Sequence, residues 1–326
     1  MTTIVPQPYS VDFARPLGAM EHFLSLIDQH RPLHFAMAAQ IEGPTAIPAW
    51  RTALDKLQER HPLLSVAIGT DADRAPYFRT VRDVPIPLRV IPGPTVSNWE
   101  AEVARELATP FALGQAPLAR AVLMHGPFES VFILATHHSI ADGLSSTYAI
   151  RDVLRALTGE TLKFLPLVPA QESLVYMSRQ ATDDTNRSLQ PQAPDEEPLM
   201  TFLSNDGLLP SVEALSLTPE MTQTLIERAR NERTTVHGAL CSALVLAGRE
   251  SSSDWNHSPV RVRSPFSLRK ELGIGEDCGV FVWAGSVPMS PHTLADFWDM
   301  ARFAKSSLTD RQLLRRVAME MEGSSG

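Results

Sequence analysis

The chain has 326 residues, 44% hydrophobic and 20% charged, with a formal net charge of −8. That balance describes packed globular structure, enough for one large or two ordinary domains. An acidic chain without a lysine or arginine block excludes a phosphate-tracking nucleic-acid surface. The two cysteines, Cys241 and Cys278, form neither a disulfide framework nor a metal-type pair, which points to a reducing, cytoplasmic setting. Met1-Thr2-Thr3-Ile4-Val5-Pro6 lacks the basic and apolar regions of a signal peptide, and no stretch has the length of a membrane span.

In chain order, Pro16 to Ile27 reads as a turn and a short amphipathic helix, and Leu33 to Ile41 alternates as a strand does. Pro48-Ala49-Trp50-Arg51 opens a helix that runs to Arg60. His61-Pro62 ends it, because a residue before proline disfavours the helical region. Short strands are expected at Ser65–Ile68, Tyr77–Val81 and Ile86–Val90, and Asn98 is placed to cap a helix from Trp99 to Ala108. Leu118–Met124 and Val131–Thr136 then pair across Gly126-Pro127. This order predicts a mixed α/β lobe over residues 1–175. Asp183, Asp184, Asp195, Glu196 and Glu197, set among Gln, Asn and Pro, give residues 176–210 the composition of an acidic linker. A partner-binding acidic loop is the alternative.

The second lobe takes residues 211–326. Ser216-Leu217-Thr218-Pro219-Glu220 has a hydroxyl cap, an early proline and a first-turn acid, and Thr234-Thr235-Val236-His237 opens a second, very apolar helix. His237 is assigned to helix structure, with no base or ligand partner. Val260 to Arg269 reads as a strand running into a turn, Cys278 to Met289 as another strand, and Leu294 to Leu308 as an amphipathic helix that Gln312 to Met321 continues or follows.

One stretch carries candidate chemistry. The apolar strand at Val131 leads into His137-His138-Ser139-Ile140-Ala141-Asp142-Gly143, and apolar residues at helical spacing follow from Leu144. Two histidines and an aspartate at a strand end can reach a cleft while the sheet holds their backbone. Histidine suits general-base work near neutral pH. Asp142 can fix the turn or an imidazole, and Gly143 gives the backbone freedom. The plainer alternatives are satisfied core histidines, a partial metal site or a solvated Asp-Gly turn.

His-His-x-x-x-Asp-Gly after an apolar strand resembles the signature of the acyltransferase superfamily built on the chloramphenicol-acetyltransferase fold. That superfamily includes nonribosomal-peptide condensation domains and polyketide-associated O-acyltransferases. Arg60-His61-Pro62-Leu63-Leu64 resembles the family's RHP-L turn, where His61 ends a helix and takes no chemical part. The resemblance implies an α/β (α+β), two-lobe chloramphenicol-acetyltransferase-like fold, with a cleft between the lobes. It implies His138 as general base, His137 as largely structural, and Asp142 and Gly143 as shaping the loop. Phe266-Ser267-Leu268-Arg269 resembles the family strand whose terminal arginine pairs with the motif aspartate, which gives that role to Arg269. The physical case is that a buried aspartate needs a compensating partner and that a guanidinium fork suits it better than lysine. A surface charge before Lys270-Glu271 is the alternative.

The implied function is acyl transfer in secondary-metabolite or lipid biosynthesis. The donor is a thioester on coenzyme A or on a carrier protein's phosphopantetheine arm, the acceptor is an alcohol or amine, and there is no covalent enzyme intermediate and no bound cofactor or metal. Ester formation is preferred to amide formation, since no adenylation or carrier domain adjoins. The second expectation is a non-catalytic, condensation-like docking module for a carrier protein. A hydrolase lacks its Gly-x-Ser-x-Gly elbow, and a zinc enzyme lacks its ligand spacing. Family members are longer and carry an Asp-Phe-Gly-Trp-Gly element; Asp296-Phe297-Trp298 lacks the glycines. The resemblance therefore covers the first lobe and about half of the second. An engineered end, a short natural member and a fold completed by another polypeptide all stay open.

Overall fold

In the computed structural model, which describes residues 11–30, 32–71, 75–93, 97–181, 209–290 and 296–308, the chain opens on strand β1 (Val11–Pro16) and helix α1 (Ala19–Asp28). The Gly18 N–H donates to the Glu21 carboxylate at 2.8 Å, and Arg15 grips both oxygens of that carboxylate at 2.7 Å. An acid in the first turn meets the free N–H groups there and the positive end of the helix dipole.

Strand β2 (Phe35–Glu42) leads to α2 (Ile47–Arg60), which starts with Pro48 in its first turn and stops at extended His61, ahead of a 3₁₀ turn at Pro62–Ser65. There follow β3 (Val66–Thr70), β4 (Pro76–Val81), β5 (Leu88–Pro92), α3 (Trp99–Ala108), β6 (Ala119–His125), β7 (Glu129–Thr136), α4 (Gly143–Leu157) and α5 (Gln171–Ala181). Strands order as β1-β4-β3, antiparallel, and as β2-β7-β6-β5, antiparallel except for the parallel β5–β6 pair.

Strand β7 lies inside the second of these sheets with both faces covered. Phe132 and Leu134 point into the main core with Trp50, Leu54 and Val153, and the Phe132 ring stacks on Trp50 at 5.0 Å. Val131 and Ile133 point the other way, onto Val103 of α3. A period of two with apolar residues on both sides produces the continuous apolar run seen in the sequence. Truncating Phe132 would cost on the order of 3–5 kcal/mol. This strand therefore gives the turn that follows it a fixed base.

The remaining elements are α6 (Pro219–Asn231), α7 (Val236–Ser251), α8 (Asp254–His257), β8 (Val260–Ser267), α9 (Arg269–Leu272), β9 (Val282–Met289) and α10 (Phe297–Leu308), with β8 and β9 antiparallel. Thr218 and Thr235 cap α6 and α7 by accepting the N–H of Met221 and Gly238. Cys241 and Val245 of α7 pack with Val287, Met289, Met300 and Ala304. Gly238 allows the close approach of α10: a Cβ there would lie 2.5 Å from the Ala301 carbonyl oxygen.

The chain divides into two compact units, one of residues up to Glu213 with Arg269–Phe281, the other of Ala214–Leu268 and residues from Val282 onward. The expected boundary, a second lobe running unbroken from 211, differs: Arg269–Phe281 packs on the first unit because Arg269, Gly279 and Phe281 bond to the motif turn. The expected strand from Cys278 begins only at Val282 for the same reason. Asn98 precedes α3 but sits at φ 61°, in the left-handed region, and its side chain makes no cap bond. Helix α5 runs through residues expected to begin the linker, most of which, with Gln312–Met321, lies outside the described residues.

Candidate active site

Strand β7 ends at Thr136, the turn carries His137 to Asp142, and α4 begins at Gly143. Asp142 builds this junction. As the N-cap of α4, its Oδ1 accepts the Ser145 N–H at 2.7 Å, and its own N–H donates to the Gly279 carbonyl at 3.1 Å. Its Oδ2 accepts the Phe281 N–H at 3.0 Å. The Ser145 hydroxyl lies 2.8 Å from both Asp142 Oδ1 and the Gly279 carbonyl. A buried carboxylate is thereby supplied with donors on both oxygens, as burial of a charge requires.

The structure brings Arg269 to Asp142. One guanidinium nitrogen lies 3.1 Å from Oδ1, 3.4 Å from Oδ2 and 2.8 Å from the Ser145 hydroxyl. Another donates to the carbonyls of Gly275 and Asp277 at 2.9 Å, and the guanidinium carbon stands 4.8 Å from the centre of the Phe281 ring. Both partners are 5% exposed. Arg269 thus joins the turn to the segment 269–281 and closes that segment on itself.

The two histidines differ in surroundings. His137 is fully buried; its Nδ1 accepts the Ser139 N–H at 3.1 Å, and its Nε2 faces Oδ2 of Asp28, at the end of α1, at 3.3 Å. Its ring meets Phe111 edge-on. His138 is partly covered, with its ring against Phe35 at 5.0 Å and its Nδ1 buried with no well-aligned hydrogen-bond partner among the described residues. Burial lowers its pKa below the ordinary histidine value, against the opposing pull of its own backbone, the Asp142 carboxylate and the Ala141 backbone. His138 therefore stays neutral, and able to take a proton, to a more acid pH than a free imidazole. Gly143 and Leu144 are exposed beside it, and among the described residues nothing lies within 4 Å of a Cβ built on Gly143.

Several residues of this site escaped the sequence reading. Ser145 stands three residues after the cap, a position that could have marked it. Asp28 and the backbone of 279–281 carried no local signal, because only folding brings them to the turn. Behind α4, Asp152 is fully buried between Arg60 at 2.7 Å, His61 at 3.0 Å and Arg151 at 3.0 Å, and Glu276 joins Arg60 and Arg151 at 2.9 and 2.6 Å. His61 ends α2, as expected, and also ties that helix to α4. His237, expected to have no base or ligand partner, lies 2.8 Å from the Ser264 hydroxyl and 3.5 Å from the Cys241 sulfur, since β8 runs beside the start of α7. Among the described residues, no group of three or more His, Cys, Asp or Glu side chains is placed to hold a metal ion, and no helix is long and apolar enough to cross a membrane.

A family model described as "Condensation domain" matches residues 22–193, just over half of the chain and including the whole motif turn. The chain belongs to the condensation-domain family. A second model, "Phthiocerol/phthiodiolone dimycocerosyl transferase C-terminus", matches residues 206–273. This condensation-domain chain is 25% identical to tyrocidine synthase 3 of Brevibacillus parabrevis over 311 residues, 89% of the chain and 5% of that protein. It is 28% identical to bacitracin synthase 3 of Bacillus licheniformis over 151 residues, 45% of the chain and 2% of that protein. The chain thus spans a small fraction of the length of these relatives. Among solved structures it resembles the first condensation domain of the calcium-dependent antibiotic synthetase, with a TM-score of 0.68 and 17% identity over 95% of this chain and 78% of that one. Polyketide synthase associated protein 5 from Mycobacterium tuberculosis gives a TM-score of 0.65 and 16% identity over 95% and 76%. At these identities the structural likeness shows the fold, the mixed helix-and-sheet architecture expected from the motif.

Proposed function

We propose that this condensation-domain chain is an acyltransferase of secondary metabolism, moving an acyl group from a coenzyme A or carrier-protein phosphopantetheine thioester to an alcohol or amine. The observation that carries the reading is the contrast between neighbours: His137 is sealed in, while His138 keeps a partly covered imidazole with a lowered pKa. Its Nδ1 is buried, so Nε2 is the nitrogen that meets a substrate. For Nε2 to accept, the neutral ring holds its hydrogen on Nδ1. Nε2 takes the acceptor's O–H or N–H proton as the heteroatom attacks the thioester carbonyl. The carbon–oxygen or carbon–nitrogen bond forms, the carbon–sulfur bond breaks, and the departing thiolate takes the proton back from the imidazolium. No covalent enzyme intermediate is required, because the thioester is already activated.

Mass spectrometry of acceptors incubated with acyl-coenzyme A and acyl-carrier donors tests this directly. The wild type is expected to yield acylated product and free thiol, and His138→Ala to lower turnover by about 10²–10⁴-fold while folding normally. The acid limb of the pH–rate profile is expected below the ordinary imidazole value of about 6.5, because burial disfavours protonation of His138. A wild type that transfers nothing from any donor yet binds a carrier protein tightly would make the chain a docking module. A His138→Ala variant with wild-type turnover would remove the mechanism.

A further inference from the structure

We propose that Asp28 is a positioning residue for the histidine turn, acting through the tautomer of His137. The proposal rests on the reading of His138 as the base and names what holds that base in place. A neutral imidazole has one donor and one acceptor nitrogen. The Ser139 N–H can only donate, so the 3.1 Å contact makes His137 Nδ1 the acceptor and leaves the hydrogen on Nε2. That nitrogen has no aligned acceptor among the described residues, and the atom facing it is Oδ2 of Asp28 at 3.3 Å. The other oxygen of Asp28 is engaged by the Leu33 N–H at 2.7 Å, which fixes the carboxylate in this orientation.

Burial raises the Asp28 carboxyl, and the His137 imidazole, the Leu33 N–H and the nearby His34 together overcome it, leaving the pKa below the ordinary range. His34 is turned away onto the Glu106 carbonyl at 2.8 Å, and the Phe111 ring stands edge-on to both His34 and His137. A second tether runs in parallel, from the Ser139 hydroxyl to the Glu21 carbonyl at 3.1 Å. Helix α1 thus holds the turn on both sides of His138, with its last residue facing His137 and its first turn bonded to Ser139.

The amide of Asp28→Asn must keep its oxygen for Leu33, so its NH2 group faces Nε2, donor against donor. The ring then changes tautomer, and Nδ1–H faces Ser139 N–H. Nitrogen-15 shifts of the His137 ring and hydrogen exchange at the Ser139 amide read this without any reference to activity. Asp28→Asn is expected to switch the ring pattern, speed Ser139 exchange and lower kcat by about 10²-fold, with donor KM changed by no more than about twofold. His137→Asn places an amide oxygen where Nδ1 stood, so it keeps the Ser139 bond without Asp28. It is expected to retain most of the turnover that His137→Ala loses, and adding Asp28→Asn to it is expected to cost little more.

An unchanged tautomer in Asp28→Asn, a full extra loss in the double variant, or equal losses in His137→Asn and His137→Ala would each overturn the proposal. A wild type without transferase activity would overturn the function while the resonance and exchange measurements still decide the role of Asp28.

Discussion

Arg269 and Asp142 lie 127 positions apart in the chain and meet 5% exposed. Removing one member of such a pair leaves the other charged and buried, which costs more than the pair itself contributes. Arg269→Ala is therefore expected to lower unfolding free energy by on the order of 3–5 kcal/mol, measured by urea titration followed by far-ultraviolet circular dichroism. Arg269→Lys keeps the charge but loses the fork that reaches Asp142, Gly275 and Asp277 together, so it is expected to fall between the two. A fully stable Arg269→Ala would make the residue peripheral. Among the described residues, three donors other than Arg269 reach Asp142: the N–H groups of Ser145 and Phe281 and the Ser145 hydroxyl. The ion pair completes a set of bonds that the helix cap begins.

At the scale of elements, α2 and α4 are joined by the charged cluster around Asp152. Burial raises the Asp152 carboxyl, but the His61 ring, the Arg151 guanidinium and the charge of Arg60 outweigh it and bring its pKa down to about 2. The folded value lies below the unfolded value, so the stabilisation is fully present above about pH 4 and is lost as pH falls through the folded value. Asp152→Asn is expected to be less stable than the wild type by on the order of 2 kcal/mol at neutral pH, and the difference to close between about pH 4 and pH 2. Urea midpoints of both proteins across that range measure it, and a difference independent of pH would show that the carboxylate charge contributes nothing. The same elements show where local rules held. Proline in the first turn of α2, the hydroxyl cap of α6, the threonine opening of α7 and the short apolar run of β7 act within a few residues of themselves, and each was legible. Asn98 was not, because its residue type fits either a cap or a left-handed turn and the chain took the turn.

Across the whole molecule, the first unit takes Arg269–Phe281 from the middle of the sequence stretch that otherwise builds the second. A fragment ending at Glu213 would keep β1 to α5 but leave Asp142 without Arg269 and without the Phe281 N–H, and Asp152 without the Glu276 that braces its arginines. Such a fragment is expected to melt well below the full chain or to remain partly unfolded, as calorimetry and near-ultraviolet circular dichroism would show. A fragment as stable as the intact protein would mean that the borrowed segment is an ornament on a self-sufficient lobe.

By itself the sequence determined most of the long elements, the proline and hydroxyl starts of α2 and α6, the strand–turn–helix around His137 to Gly143 and, through resemblance, the family and the partner of Asp142. These depend on side-chain periodicity and on short motifs, whose physics is confined to neighbouring residues. Tertiary structure alone decided that Arg269–Phe281 belongs to the first unit, that Asp28 faces His137, that His61 meets Asp152 and that His237 meets Ser264. The contacts behind them join residues between 27 and 216 positions apart. Their pairing depends on how the sheets and helices pack, and buried polar groups then take whichever partner that packing brings within reach.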